Sequence, residues 1–341
     1  MKKYLLPRDG QFYKANLHCH TTCSDGKLTP EQVKEAYKAH GYSIVAYTDH
    51  FLLVPHNDLT DADFLALNGV ELDNGQNIPV HKYKKTCHIC YIALDPDNTA
   101  QVCYHREKYV RGNMLAFRDK VTVDESIPDF ERNYDPECVS EMMRIGRERG
   151  FFVTYNHPSW SMENYGDYGR YENMHAMEIY NHASGVAGFE EYNPQVYDEL
   201  LRQGKRIYCL ATDDNHNGRP LDDPRSNSFG GFTMIKADKL EYKTITDALV
   251  KGNFYASQAP LIHDLWIEGD KLHVTTSAAE KIVLSTGNRR MANATRMRGQ
   301  TLKKAEFQVL PDDVYVRITV IDKYGKHANT NAYFVDELFA E

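Results

Sequence analysis

Long apolar runs are missing from this chain of 341 residues: nothing approaches the roughly 18 consecutive apolar residues of a membrane-spanning helix, so no membrane partner is expected. A basic excess is missing as well. Lys and Arg number 40 against 48 Asp and Glu, giving a net charge of −8, with a pI near 6.0. That balance argues against a nucleic-acid polymer as ligand. The N-terminus, Met1-Lys2-Lys3-Tyr4-Leu5-Leu6-Pro7, has no apolar core long enough for a signal peptide. Cysteines number only seven, an odd count at irregular spacing, which fits reduced thiols in a cytoplasmic protein rather than a disulfide framework. Cys87-His88-Ile89-Cys90 has no second ligand pair at zinc-site spacing and reads as a strand, with His88 on the opposite pleat from Cys87. No low-complexity tract is present. The expectation is a cytoplasmic protein with a small-molecule partner.

What is present is histidine and carboxylate at the ends of expected strands. His18-Cys19-His20, Asp25-Gly26 and Thr48-Asp49-His50 put five potential metal ligands into the first fifty residues. A His-x-His pair on a strand directs both imidazoles to one face, and neutral imidazoles beside carboxylates suit Zn, Mn or Fe. Cys19, between them, should point away from the ligands into the wall.

A helix–strand unit recurs three times. The first opens at Thr29-Pro30-Glu31-Gln32, a capping box with proline in the first turn, stops at Gly41, and its strand Ser43–Tyr47 runs into Thr48-Asp49-His50. The second opens at Asp135-Pro136, stops at Gly150, and its strand Phe151–Tyr155 runs into Asn156-His157-Pro158. The third opens at Asn193-Pro194, stops near Gly204, and its strand Ile207–Ala211 runs into Thr212-Asp213-Asp214-Asn215-His216. Two further strands fit, 66–72 and 176–182. Alternation of this kind implies a parallel sheet, and ligands gathered at the C-terminal ends of its strands are where a (β/α) barrel builds its active site. After about Gly252 the pattern changes to short alternating strands (265–267, 272–274, 281–284, 314–320) separated by turns, which reads as a small all-β sandwich. Residues 95–135, rich in Tyr, Arg and Asp, read as an irregular insertion near the barrel mouth.

The ordered motifs Asn16-Leu17-His18-Cys19-His20…Ser24-Asp25-Gly26, Thr48-Asp49-His50, Asn156-His157-Pro158 and Asp214-Asn215-His216 resemble those of the PHP (polymerase and histidinol phosphatase) superfamily of metal-dependent hydrolases. Between them, Gly69-Val70-Glu71 matches the family's bridging glutamate, and His88 its following histidine. Residues 252–260 followed by a β region look like the carbaryl-hydrolase-like branch. The resemblance implies an α/β fold, a distorted (β/α)7 barrel over 1–258, followed by the small β-sandwich domain at 261–341. It also implies two to three divalent ions (Mn, Zn or Fe). One is held by His18, His20, Glu71 and Asp214, a second by Glu71, His88 and His157, and a third by Asp25, His50 and His216. Position 25 is histidine in some relatives, which bears on occupancy of the third site. Paired cations activate a water near neutral pH, here held by Glu71, His18, His20 and Asp214. Glu178, His182 and Arg225 are candidates for binding substrate. Asp49 and Asp213 read as braces rather than ligands. His40, His56, His81, His105, His175, His263, His273 and His327 carry no expected role.

The activity expected is hydrolysis of a small phosphorylated metabolite, such as a nucleotide-like phosphomonoester. The alternative is hydrolysis of a carboxylic or carbamate ester by the same centre. A non-catalytic binding module is disfavoured because no ligand position is missing.

Overall fold

The computed structural model describes residues 2–78 and 84–339. In chain order its first strands are β1 (Lys2–Tyr4), β2 (Gln11–Asn16), β3 (Ile44–Tyr47), β4 (Leu65–Gly75), β5 (Thr86–Ala93), β6 (Phe151–Tyr155), β7 (Ala176–Asn181), β8 (Tyr208–Thr212), β9 (Phe232–Ala237) and β10 (Phe254–Ser257). Eight more follow: β11 (Ile262–Glu268), β12 (Lys271–Ala279), β13 (Lys281–Thr286), β14 (Met291–Thr295), β15 (Leu302–Gln308), β16 (Tyr315–Ile321), β17 (His327–Thr330) and β18 (Tyr333–Phe334). The helices are α1 (Pro30–Ala39), α2 (Pro136–Glu148), α3 (Tyr165–Tyr168), α4 (His182–Ala187), α5 (Pro194–Arg202), α6 (Tyr242–Val250) and α7 (Val335–Leu338). Among the described residues no helix is long and apolar enough to cross a membrane.

The three helix–strand units form where their punctuation places them. Thr29 and Gln32 close a reciprocal capping box on α1, and Asp135 caps α2 by accepting from Cys138 N at 2.7 Å. Asn193 caps α5 without a side-chain bond to that helix; its amide instead serves Glu191 at 2.7 Å. Gly41, Gly150 and Gly204 end the helices at φ of 75°, 78° and 86°, conformations that cost other residues dearly.

The fold is mixed α/β, but the expected distorted (β/α)7 barrel is not confirmed: the strands form a mixed sheet that does not close. Its path runs β14-β13-β16-β17-β10-β9-β2-β3-β4-β5-β6-β7-β8, with β18 on β16. Among the described strands, the parallel ladders are β2–β3–β4 and β6–β7–β8. Strand β5 is antiparallel to both neighbours; the short connection after β4 permits a hairpin with that strand but no crossover. At the other end of the curl β9 pairs antiparallel with β2, and it meets β8 through a side chain, Thr233 Oγ1 donating to Ala211 O at 3.1 Å. The sheet still wraps a core. Ile44, Leu67, Ile92, Phe152, Leu210 and Ile235, from six different strands, pack in one buried cluster that floors the space beneath the strand ends.

The C-terminal strands make two layers. One is the separate sheet β1-β11-β12-β15, and the other is the continuation of the large sheet through β10–β17. Their apolar faces meet over Leu265, Leu272, Ile282, Leu284, Ile318 and Val320. Strands β14 and β15 lack a sequence signature because most of their residues remain exposed or half-buried.

Candidate metal centre

His18 and His20 lie just past β2, and a bridge from Cys19 to Asn215 ties that segment to the one after β8. Cys19 is buried in the wall with Val33, Tyr37 and Val45, leaving the flanking imidazoles on the other side. Asp49 shapes the loop that follows. It accepts from Thr21 N and Thr21 Oγ1 at 2.8 Å each, from Ser24 N at 3.1 Å and from Ser24 Oγ at 2.5 Å. Gly26 is required there, since a Cβ would sit 2.5 Å from His20 O. Asp213 does the same work on the far side, gathering Tyr37 OH and the backbone N–H groups of Phe229, Gly230 and Gly231.

The side chains so placed converge. His18 Nε2 and His20 Nε2 are 3.1 Å apart. His18 Nε2 lies 3.2 Å from Glu71 Oε1 and 3.3 Å from Asp214 Oδ1, and His20 Nε2 lies 3.3 Å from Glu71 Oε2 and 3.1 Å from Asp214 Oδ1. Tetrahedral donors held about 2.0–2.1 Å from an ion are separated by roughly 3.3–3.4 Å, close to this spacing. Glu71 Oε1 also meets His88 Nδ1 at 2.9 Å and His157 Nε2 at 3.2 Å. Its Oε2 meets His50 Nδ1 at 3.1 Å. Asp25 makes a wider set, 3.4 Å from His216 Nε2, 3.7 Å from His50 Nε2 and 3.8 Å from His20 Nδ1. All nine candidate ligands are thus in one cluster, with Glu71 at its middle. Two of its buried atoms, Asp214 Oδ1 and His50 Nδ1, have no hydrogen-bond partner. Backbone strain collects here too, with φ of 26° at His157, 52° at Asp214 and 72° at Phe51.

The electrostatics are those of a centre short of positive charge. Burial works against a charged His20, yet Asp214 and Glu71 outweigh it and raise its pKa to about 10. His157 is raised to about 9 against the same burial, by Glu71 and Asp214. Glu71 and Asp214 are pulled well below the usual carboxylate range by the surrounding histidines, in spite of burial. Burial and the neighbouring His20 charge leave His50 at about 3. Protons on some imidazoles thus balance the carboxylates, a role divalent ions would take over with release of those protons.

The three substrate candidates sit elsewhere. Glu178 is 1% exposed and lies behind His18, outside the lining of the cavity. His182 starts α4, takes Tyr180 OH at Nδ1 over 2.9 Å and packs its ring on Gly230. Arg225 is 63% exposed and forks onto Asp223 in its own turn. In their place, a cavity of about 720 Å³ over the cluster is lined by Lys27, Phe51, Asp73, Arg111, Met114 and Trp160 among others. Arg111 and Met114 come from the 95–135 segment. Cys90 is the other residue that strand reading passed over. It shares the pleat of His88, and its thiol, pushed up to about 11 by burial, accepts from Asn156 Nδ2 at 2.9 Å. Cys87 faces the apolar core, so the two cysteines share no site. His81 lies outside the described residues.

Trp160 is seated edge-on against His88 and His157, with ring centroids 5.1 and 5.0 Å away. Two buried carboxyls hold its loop. Glu191 accepts from Trp160 N at 2.8 Å and Ser159 N at 3.3 Å. Glu163 accepts from Tyr134 OH at 2.8 Å, Tyr155 OH at 2.7 Å and Tyr171 OH. Burial raises both to about 7.

No protein-family model matches this sequence, and no curated protein matches it. Solved structures resemble it distantly. One is a two-domain protein from Bacteroides vulgatus containing a predicted PHP-like metal-dependent phosphoesterase: 14% identity, 94% of each chain covered, TM-score 0.44. Another is a putative metal-dependent phosphoesterase from Bifidobacterium adolescentis, 15% identical over 63% of this chain and 91% of that one, TM-score 0.34. A third is an amidohydrolase from Chromobacterium violaceum with bound sulfate and no metal, 15% identical over 59% of this chain and 87% of that one, TM-score 0.37. Likenesses this distant do not assign the chain to a family.

Proposed function

We propose that this chain is a PHP-type metal-dependent hydrolase acting on a small phosphate ester. The observation that carries the reading is the clustering of nine imidazole and carboxylate side chains, Glu71 and Asp214 among them, with donor separations of 3.1–3.3 Å around His18 and His20. That donor set fits Zn, Mn or Fe. His18, His20, Glu71 and Asp214 would hold one ion, Glu71, His88 and His157 a second, and Asp25, His50 and His216 a third at the wider, more exposed position. Bound there, divalent ions supply Lewis acidity, lowering the pKa of water to about 7 and neutralising charge on a phosphoryl group.

The chain's own residues supply the rest. Asn156 braces Glu71 Oε1 at 3.4 Å, and Asn181 Nδ2 braces Asp214 Oδ2 at 3.2 Å. Lys27 and Arg111 bring cations to the cavity wall, where they would take the non-reacting oxygens of an anionic substrate. Trp160 and Phe51 offer flat apolar surface for the remainder of the molecule. The apolar share of that wall also favours a second reading, hydrolysis of an aryl carboxylic or carbamate ester by the same centre. In both readings the catalytic portion is 1–258, the β portion is 261–341, and the setting is cytoplasmic.

The test is product release by protein reconstituted with Mn, Zn or Fe, over phosphomonoesters, nucleotides and aryl carboxylic or carbamate esters. Phosphate release that a chelator and His18→Ala both abolish supports the first reading. Turnover of the carbon esters alone moves the assignment to the second, and full activity in His18→Ala sinks both.

A further inference from the structure

We infer that Glu178 is a positioning residue that locks two ion positions together, so that neither forms properly without it. The inference rests on the metal-binding reading above and not on the choice of substrate. Its basis is the use of both carboxylate oxygens. Oε1 meets His18 Nδ1 at 2.7 Å and accepts from Thr212 Oγ1 at 2.7 Å. Oε2 accepts from the backbone N–H of His157 at 2.9 Å and from Asn181 Nδ2 at 2.9 Å. Four donors therefore surround one carboxylate that is 1% exposed, and two of them belong to candidate ligands on different ion positions.

Each contact has a separate consequence. The oxygen that accepts from His18 Nδ1–H leaves Nε2, which faces His20, Glu71 and Asp214, as the ring nitrogen that an ion would take. The second oxygen acts on backbone. His157 sits at φ 26°, a conformation a non-glycine residue adopts only when its surroundings enforce it, and Glu178 Oε2 holds the N–H of that residue. His157 Nε2 is thereby delivered 3.2 Å from Glu71 Oε1. A third link runs through Asn181, whose amide bonds both Glu178 Oε2 and Asp214 Oδ2. The segments after β2, β6 and β8 thus have their ligands held by one buried anion on β7.

Glutamine cannot replace it. Whichever way its amide is turned, an NH2 group faces donors that need an acceptor, either His18 Nδ1–H and Thr212 or His157 N–H and Asn181.

The experiment is calorimetric titration of metal-free wild-type, Glu178→Gln and Glu178→Ala protein with Zn and with Mn, together with 15N NMR of the histidine rings of the wild type. Loss of a second-layer partner of a metal ligand costs 10–100-fold in affinity. The expected result is a loss of that size in Glu178→Gln for the ion whose ligand faces the NH2 group, and in Glu178→Ala for two ions at once, with His18 protonated on Nδ1 in the loaded wild type. Unchanged affinity in Glu178→Gln, or weakening of one ion alone in Glu178→Ala, overturns the inference. If the variants fail to fold, the ring spectrum decides, since a proton on His18 Nε2 in the loaded wild type overturns it equally. A wild type that binds neither Zn nor Mn removes the metal reading itself, an outcome distinct from either.

Discussion

Buried charge is handled in opposite ways at the two ends of this molecule. In the C-terminal layers each deeply buried ion has a matched partner. Arg317 forks onto Asp198 at 2.8 and 2.7 Å, and Asp313 receives Arg290 and the backbone N–H of Leu310. At the strand ends of the N-terminal portion, six histidines crowd around Glu71, Asp214 and Asp25, and among the described residues no Lys or Arg pairs with Glu71 or Asp214. Pairs that close on themselves hold a fold together. Ligand atoms that face one another across 3.1–3.3 Å, with only imidazole protons to balance the carboxylates, describe a place for a cation.

Removing the centre of that cluster should have the largest effect. Glu71→Gln takes away the shared carboxylate, and metal-dependent turnover should fall on the order of 10³-fold, equivalent to several kcal/mol, with bound metal by elemental analysis falling in step. The opposite end should break differently. Asp198→Ala leaves Arg317 buried without its partner, a loss of about 3–5 kcal/mol in denaturant unfolding, while metal content per folded molecule stays unchanged. A result with the two phenotypes exchanged would erase the contrast.

Smaller effects sharpen it. Glu163 holds its proton more tightly in the folded protein, at about 7 against the ordinary 4.5 of a free glutamate. Its stabilising contribution is therefore complete below about pH 4.5 and is lost as pH rises through 7, by about 3 kcal/mol. Glu163→Gln should flatten that part of the stability profile measured by urea unfolding between pH 4 and 8. Raising pH should strengthen metal binding over the same range, because His20 and His157 release protons when ions replace them; a titration showing no proton release would contradict this. Last, Arg111→Ala should raise KM for an anionic substrate about 10-fold, the worth of one charged hydrogen bond, with unfolding unchanged since the side chain is 69% exposed.

Residues whose chemistry is tied to a motif were legible in the sequence. Punctuation at Thr29, Asp135 and Asn193 fixed three helices, and the histidines followed from where their strands stop. The bracing roles of Asp49 and Asp213 follow from the same alternation. Three-dimensional placement of less patterned residues was not legible. Strand alternation sends Glu178 inward without saying that His18 stands between it and the cavity. His182 fails as a strand residue because α4 begins at it, and Arg225 because its own turn supplies Asp223. Arg111 had no signal to set it apart from the other arginines of the 95–135 insertion, and only the path of that insertion puts it in the cavity wall. The open, mixed sheet escaped for a related reason. Helix–strand alternation reports parallel units, and β9 and α6 carry no such punctuation, Glu241 making no side-chain cap.

The ladder between β10 and β17, in which Tyr255, Ala256 and Ser257 pair with Thr330, Asn329 and Ala328, has a mechanical consequence. A chain cut after Ser257 would expose the whole edge of β10, an unpaired strand ready to pair with another molecule. The two portions should therefore melt as one cooperative unit, and an excised N-terminal fragment should aggregate before it could be assayed.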